Sequence, residues 1–260
     1  MSNEQGAMNK EQGARSSEQG AGSNEQSGNG LSGAAWSWKR HRRAISHSPS
    51  SPQLPVPCPL LHNLPMTLLY TDEQAPIDPA SGTLRTARQV PSPNCDDRPP
   101  GVVADLIVVH GISLPPDEFD GPWIDALFTN RLPAHEHPYF ATIADRRVSS
   151  HLLIRRDGSI VQYVPFHRRA WHAGVSSYEG REKCNDFSIG IELEGADLIP
   201  YEPEQYRSLT ETILQLCAAY SSLSLQRIAG HSDIAPGRKT DPGPAFDWMR
   251  FRALLRARRP

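Results

Sequence analysis

The sequence predicts an α/β domain in which a mixed central β-sheet is flanked by helices, behind a disordered N-terminal tail. From about residue 84 onward, short apolar or alternating runs typical of strands are interleaved with an amphipathic run typical of a helix. Before that point the chain is rich in Gly, Ser, Pro and polar residues, which bury too little apolar surface to order a core. We therefore expect a tail and linker over residues 1–83 and one folded domain over residues 84–256.

The predicted tail contains three kinds of biased sequence. Residues 1–30 repeat a Glu-Gln-Gly-Ala unit and are almost free of apolar side chains. Residues 36–43 form a short basic patch with two tryptophans, which either touches an anionic surface or is simply solvated. Residues 48–65 are rich in Ser and Pro, as in an extended linker. Because no candidate catalytic residue precedes Met66, we expect residues 1–65 to be dispensable for activity.

The predicted domain has several strand-like segments and two helix-like ones. The strand patterns cover 104–109, 159–164, 187–194 and 225–228. Asp157-Gly158 lies between two apolar runs and predicts a hairpin turn there. The clearest helix covers 203–221, where one apolar stripe consists of Tyr206, Leu209, Ile213, Leu216 and Tyr220. A second, short helix is predicted over 122–128.

Composition excludes some classes of function. The formal net charge of -2 gives no field on the scale that nucleic-acid binding needs. No apolar stretch is long enough to span a bilayer, so stable membrane insertion is not expected. The N-terminal residues lack the apolar core of a secretory signal, and the four cysteines form no CxxC pair. These features favour free thiols and a cytoplasmic location, and no obligate protein partner is evident.

Two histidines and an aspartate are candidate metal ligands. His110 ends an apolar run predicted as a buried strand, whereas His231 and Asp241 lie on a stretch that Pro and Gly make stiff. Two His and one Asp leave the fourth tetrahedral position of Zn²⁺ open for water, which is typical of a catalytic site. Ordinary core or surface histidines are the alternative reading of each residue alone. Lys239, two residues before Asp241, adds a cation that can face the same site.

A resemblance extends over most of the predicted domain. Its segments are Val108–Pro116, Gly121–Phe128, Arg155–Gly158, Gln162–Phe166, Ala170–Ser176, Cys184–Gly195 and His231–Trp248. In these ordered segments the chain resembles the type 2 zinc-dependent N-acetylmuramoyl-L-alanine amidases, which share a fold with peptidoglycan recognition proteins. The resemblance implies the same mixed sheet, and it implies Zn²⁺ as the cofactor on His110, His231 and Asp241.

The strand predicted over 187–194 supplies a candidate general base. Glu192 and Glu194 alternate with apolar residues and so share one face, and spacing alone does not choose between them. The resemblance implies that Glu192 is the base, which leaves Glu194 for a salt bridge or a supporting hydrogen bond. The resemblance also implies that Lys239 stabilises the oxyanion formed during hydrolysis, although a solvated loop lysine is the alternative.

Candidate substrate contacts follow from the same resemblance. Trp171 offers an aromatic face to a sugar or a peptide, unless it is a core residue. Arg147 and Lys183 align with basic positions that face the acidic peptide stem, although family members carry Arg at the second position. Gly111 stands where family members have Asn, so a side-chain amide contact to substrate is lost. His151 also matches a family histidine and is a candidate to line the cleft, outside the ligand set.

Three classes of function remain to be separated. The resemblance favours a cytoplasmic amidase of peptidoglycan recycling that cleaves the bond between N-acetylmuramic acid, in its 1,6-anhydro form, and L-alanine of small muropeptides. An exported or phage-type amidase that acts on the intact wall is the second class. A non-catalytic peptidoglycan-recognition module on the same fold is the third, but such modules typically lose a zinc ligand.

Overall fold

The computed structural model describes residues 75–258. The predicted repeat over 1–30, the basic patch over 36–43 and the linker over 48–65 lie outside the described residues. Packed structure begins ahead of residue 84, because Ile77 is buried and pairs with Leu84. The packed part of the chain therefore extends into the segment predicted as linker.

The described residues form twelve strands, five helices and one 3-10 turn over Cys184–Asp186. The strands are β1 (Ile77–Asp78), β2 (Thr83–Leu84), β3 (Arg88–Gln89), β4 (Cys95–Asp97), β5 (Leu106–Ile112), β6 (Leu152–Ile154), β7 (Ile160–Gln162), β8 (Arg168–Ala170), β9 (Ser177–Tyr178), β10 (Arg181–Glu182), β11 (Ser188–Glu194) and β12 (Ile228–Gly230). The helices are α1 (Trp123–Phe128), α2 (Pro138–Ala141), α3 (Pro203–Ala219), α4 (His231–Ile234) and α5 (Trp248–Ala257).

The central sheet is mixed and has six strands in the order β12-β5-β11-β6-β7-β3. Strands β12, β5, β11 and β6 run parallel, and β7 is antiparallel to β6. Because parallel strands end at the same edge, the carboxyl ends of β5, β11 and β12 lie together. The predicted mixed sheet with flanking helices is confirmed.

Helices cover the two faces of this sheet unequally. Alternate residues of β5 point to opposite faces. Ile107 and Val109 pack in one cluster with the buried stripe of α3 and with Phe251 and Leu255 of α5. Leu106 and Val108 belong to a different cluster on the other face. His110 follows Val108 by two residues, so its side chain lies on this second face, away from the two long helices.

The helix predicted over 203–221 and the hairpin predicted at Asp157-Gly158 are confirmed by α3 and by the β6–β7 pair. Pro203 occupies the first turn of α3, and the Glu202 backbone N–H donates to the Gln205 side chain at 3.0 Å.

The last predicted strand is displaced in the structure. A turn closed by Arg227 N and Ser224 O precedes β12, so pairing starts only at Ile228. Helix α5 was not predicted. None of the helices within residues 75–258 has the length and apolarity to cross a membrane.

Candidate active site

The three predicted metal ligands meet at the carboxyl edge of the sheet. His110 lies within β5, which continues two residues beyond it to Ile112. His231 follows β12 directly and opens α4. Asp241 lies in the next loop, where its carbonyl accepts a hydrogen bond from Ser232 N at 2.9 Å. Two strands and one hydrogen-bonded loop therefore bring the three side chains together, although the two histidines are 121 residues apart in the sequence.

The ligand atoms of these residues converge closely. His110 Nδ1 lies 2.9 Å from His231 Nδ1, and Asp241 Oδ2 lies 3.0 Å from His231 Nδ1 and 3.3 Å from His110 Nδ1. Zinc bonds of 2.0–2.2 Å in a tetrahedron separate neighbouring ligand atoms by about 3.3 Å. All three residues are buried. The nitrogen and oxygen donors, their spacing and their burial therefore fit a Zn²⁺ ion.

The pKa shifts of His110 and Asp241 also suit a cation. Burial, together with the adjacent His231, lowers the pKa of His110 to about 4, which leaves a neutral imidazole. Burial acts to raise the pKa of Asp241, but His231 and His110 beside it hold that pKa well below its usual range. A neutral imidazole and an ionised carboxylate are the forms that bind metals.

Glu192 stands next to His110 in the sheet. The two residues are direct partners in the parallel pairing of β11 with β5, so their side chains share a face. Glu192 is buried and lines the same cleft as Lys239. Burial, reinforced by the charge of Asp241, raises the pKa of Glu192 well above its usual range. A carboxyl group with a raised pKa beside a metal centre is suited to exchanging protons near neutral pH.

Glu194, the other candidate on β11, has a different environment. Its Oε1 accepts from Asp120 N at 2.9 Å and from an Arg155 guanidinium nitrogen at 3.1 Å. Its side chain is 1% exposed and does not line the cleft. The two carboxylates left open by spacing are thus distinguished in the structure, because Glu194 is occupied by an ion pair.

The cleft beside this cluster is lined by a mixed set of side chains. Its polar lining includes Ser113, Arg146, Ser149, His172, Asp197 and Lys239, and its apolar lining includes Leu127, Phe128 and Val148. Trp171 also lines the cleft, and its indole Nε1–H donates to Asp96 Oδ1 at 3.2 Å. Trp171 therefore presents part of a fixed ring to the cleft, and a contact between this ring and substrate stays a prediction.

The two basic residues predicted to contact substrate lie outside the cleft. Arg147 and Lys183 are exposed and are not among the residues that line the cleft. Arg146, which sequence reasoning missed, does line it. The Arg146 Nε is buried and has no hydrogen-bond partner within residues 75–258. Two adjacent arginines in a loop carry no periodicity that would show which one turns inward.

Two further predicted positions have clear surroundings. His151 is buried outside the cleft, where its Nδ1 accepts from Gly190 N at 3.0 Å, and burial beside Arg98 lowers its pKa to about 3. Gly111 lines the cleft, and a Cβ at this position would collide with the Tyr201 hydroxyl. That hydroxyl donates to the Pro242 carbonyl at 2.9 Å, next to Asp241. Gly111 thus leaves room for a contact that supports the ligand loop.

Comparison with known proteins identifies the family to which the chain belongs. The family model for N-acetylmuramoyl-L-alanine amidase matches residues 98–244, which include every residue of the cluster. This match covers more than half of the chain, so the chain belongs to the N-acetylmuramoyl-L-alanine amidase family.

Within that family the chain is similar to the 1,6-anhydro-N-acetylmuramyl-L-alanine amidases called AmpD. It is 61% identical over 177 residues to the protein of Salmonella typhimurium (strain SL1344), covering 68% of this chain and 94% of that protein. The identity to the protein of Escherichia coli (strain K12) is 61% over 174 residues, covering 67% and 94%. A crystal structure of a selenomethionine AmpD derivative matches with a TM-score of 0.66 and 61% identity, covering 67% of this chain and 97% of that one.

Proposed function

We propose that this chain is a zinc-dependent amidase that hydrolyses the bond between 1,6-anhydro-N-acetylmuramic acid and L-alanine in small muropeptides, as a step of peptidoglycan recycling in the cytoplasm. The observation that carries the proposal is the convergence of His110, His231 and Asp241 beside Glu192. The chain is 61% identical to two AmpD amidases over 94% of the length of each, which supports the proposed substrate. The three cysteines within residues 75–258 are free, which supports a reducing compartment.

In this proposal His110, His231 and Asp241 would hold Zn²⁺, through the two Nδ1 atoms and the carboxylate oxygen that converge in the structure. When bound, it lowers the pKa of water to about 7 and polarises the scissile carbonyl. The protein supplies the rest of the chemistry. Glu192, fixed beside His110 by strand register, takes the proton from the attacking water and returns it to the leaving nitrogen. Lys239 lines the same cleft and stabilises the negative charge that develops on the carbonyl oxygen.

The substrate contacts in the proposal fall into an inner and an outer set. Trp171 and Arg146 line the cleft and contact the parts of the muropeptide nearest the scissile bond. Arg147 and Lys183 are exposed, so they bind groups of the acidic stem that extend beyond the cleft. The partner is a small muropeptide, and no protein partner is required.

The test compares two substrates. Purified full-length protein with zinc is incubated with soluble anhydro-muropeptide and, separately, with intact sacculi, and products are identified by mass spectrometry. We expect free stem peptide to be released rapidly from the soluble substrate and slowly from sacculi. Preferential release from sacculi would instead indicate a wall-degrading amidase, and no release from either would indicate a recognition module. Glu192→Gln is the control for contaminating activity.

A further inference from the structure

We propose that His172 is a positioning residue for the metal centre. Through a chain of hydrogen bonds that ends at a backbone carbonyl, it holds His110 with Nδ1 free to bind a cation. His172 is buried and is neither a ligand nor a catalytic candidate of the proposed function. The inference rests on the proposed zinc site at His110, His231 and Asp241, but its central claim concerns the metal-free protein.

The donor and acceptor roles along this series of hydrogen bonds are fixed at the Cys184 carbonyl, where the series ends. The Cys184 carbonyl oxygen can only accept, so Ser188 Oγ, at 2.5 Å, donates its single proton there. Ser188 Oγ then has only lone pairs to offer to His172 Nε2, which lies 3.2 Å away. A hydrogen bond between these two atoms therefore requires that His172 Nε2 carries the proton.

The same reasoning extends to His110. A neutral imidazole with its proton on Nε2 presents an acceptor at Nδ1. His172 Nδ1 lies 2.9 Å from His110 Nε2, so His110 donates from Nε2. The remaining His110 nitrogen, Nδ1, keeps its lone pair, and it is the atom that lies 3.3 Å from Asp241 Oδ2. Ligand histidines are generally oriented by the acceptor that their other nitrogen meets.

The ring of His172 is fixed in position. It packs directly on Gly190 of β11, where a Cβ would come within 2.5 Å of His172 Cγ. The Asn185 side-chain oxygen accepts from His172 N at 3.0 Å and from Ala173 N at 2.7 Å. Gly190 has no side chain, so it leaves space for the ring, and the hydrogen bonds to Asn185 fix the backbone that carries it. The ring is therefore held between His110 and Ser188.

The next residue plays the corresponding part for the second ligand histidine. The Ala173 carbonyl lies 3.1 Å from His231 Nε2, so it accepts a hydrogen bond from the Nε2–H group. The lone pair of His231 Nδ1 is thereby left for the metal. Arg238 donates to the same carbonyl at 2.6 Å. Adjacent residues thus orient both ligand histidines, but only the His172 contact is made by a side chain that mutation can remove.

The first experiment measures zinc affinity by competition with a chelator in the full-length protein. Ser188→Ala removes the acceptor of His172 Nε2 without touching a ligand, and we expect affinity to fall by roughly 10-fold to 100-fold. Thr210→Ala is the matched control, since Thr210 Oγ1 is also buried and donates to the carbonyl four residues earlier, at Tyr206, but on α3. Equal affinity of the Ser188→Ala and Thr210→Ala proteins would overturn the proposal.

A second experiment separates positioning from folding. Nitrogen NMR of histidine-labelled, metal-free protein should show His172 and His110 protonated on Nε2. A proton on His172 Nδ1 would refute the proposed series of hydrogen bonds.

Two substitutions of His172 provide a third test. His172→Gln can still accept from His110 and donate to Ser188, so it should bind zinc more tightly than His172→Leu. Equal loss in both variants would contradict a hydrogen-bonding role. If His231→Ala kept zinc, the proposed site would fail, but the NMR assignment would stand.

Discussion

The floor and the rim of the cleft are built in different ways. On the floor, His110, Glu192 and His231 are buried and belong to, or directly follow, strands of one sheet. On the rim, Arg146 and Arg147 lie in a loop between α2 and β6, and one of them lines the cleft while the other is exposed. The floor is fixed by backbone hydrogen bonds across the sheet, whereas the rim depends on how two loop side chains turn.

This difference separates what binds the reacting atoms from what selects the substrate. Metal ligands must be held to within about 0.5 Å. Two of the three proposed ligands lie on or directly after strands, and the loop that carries the third, Asp241, is hydrogen-bonded to α4. Groups that contact the variable parts of a substrate lie on loops, which tolerate change. Variants of the floor should therefore abolish activity, and variants of the rim should alter it by smaller factors.

Loss of a metal ligand should have the largest effect. We expect His231→Ala to lose zinc and all measurable activity, because only His110 and Asp241 remain as ligands. Elemental analysis of the purified protein checks this. His135→Ala is the control, since the side chain of His135 is 82% exposed and does not line the cleft. A full equivalent of zinc retained by His231→Ala would mean that His231 is not a ligand.

The two carboxylates of β11 should separate activity from stability. Glu192→Gln should lower kcat by roughly 10²–10⁴-fold, as loss of a general base does, while keeping zinc and the fold. Glu194→Gln should instead reduce the free energy of unfolding by roughly 3 kcal/mol, because Arg155 loses a buried ionic partner. Turnover and thermal unfolding of both variants provide the check. The reverse assignment would show that the base has been misidentified.

Much of the floor could be predicted from the sequence, and the reason is periodicity. An apolar run ending in His110 and an alternating run containing Glu192 predict strands, and parallel strands bring their ends to one edge. Spacing alone did not choose between Glu192 and Glu194, and the resemblance implied Glu192. The structure adds that Glu194 is paired with Arg155 and with the Asp120 backbone, which have no fixed spacing from β11. Helix α5 carries local signals that the prediction overlooked, namely an N-capping Asp247 and buried apolar residues four positions apart at Phe251 and Leu255. The inward turn of Arg146 has no such signal, because it depends on tertiary packing.

The arginine pair should give an intermediate effect. Arg146→Ala should raise KM roughly 10-fold to 100-fold with little change in kcat, since a charge-assisted hydrogen bond contributes about 1.5–3 kcal/mol. Arg147→Ala, its exposed neighbour, should change KM less. Repeating both measurements with stem carboxylates converted to amides identifies the contact, because the effect of Arg146→Ala should then shrink. If Arg147→Ala had the larger effect, the basic contact implied by family resemblance would be the correct one.

Removal of the N-terminal segment should have the smallest effect. A chain that begins at Met66 keeps every floor and rim residue, and the first described strand begins only at Ile77. We therefore expect its Tm, zinc content and kcat/KM on soluble muropeptide to equal those of the full chain. The competing hypothesis is that the basic patch over 36–43 tethers the enzyme to an anionic surface. Co-sedimentation of both chains with anionic and neutral vesicles tests it: binding of the full chain alone, and only to anionic vesicles, would assign the segment a role in location. A fall in Tm or kcat/KM would show instead that the floor of the cleft depends on residues far outside the sheet.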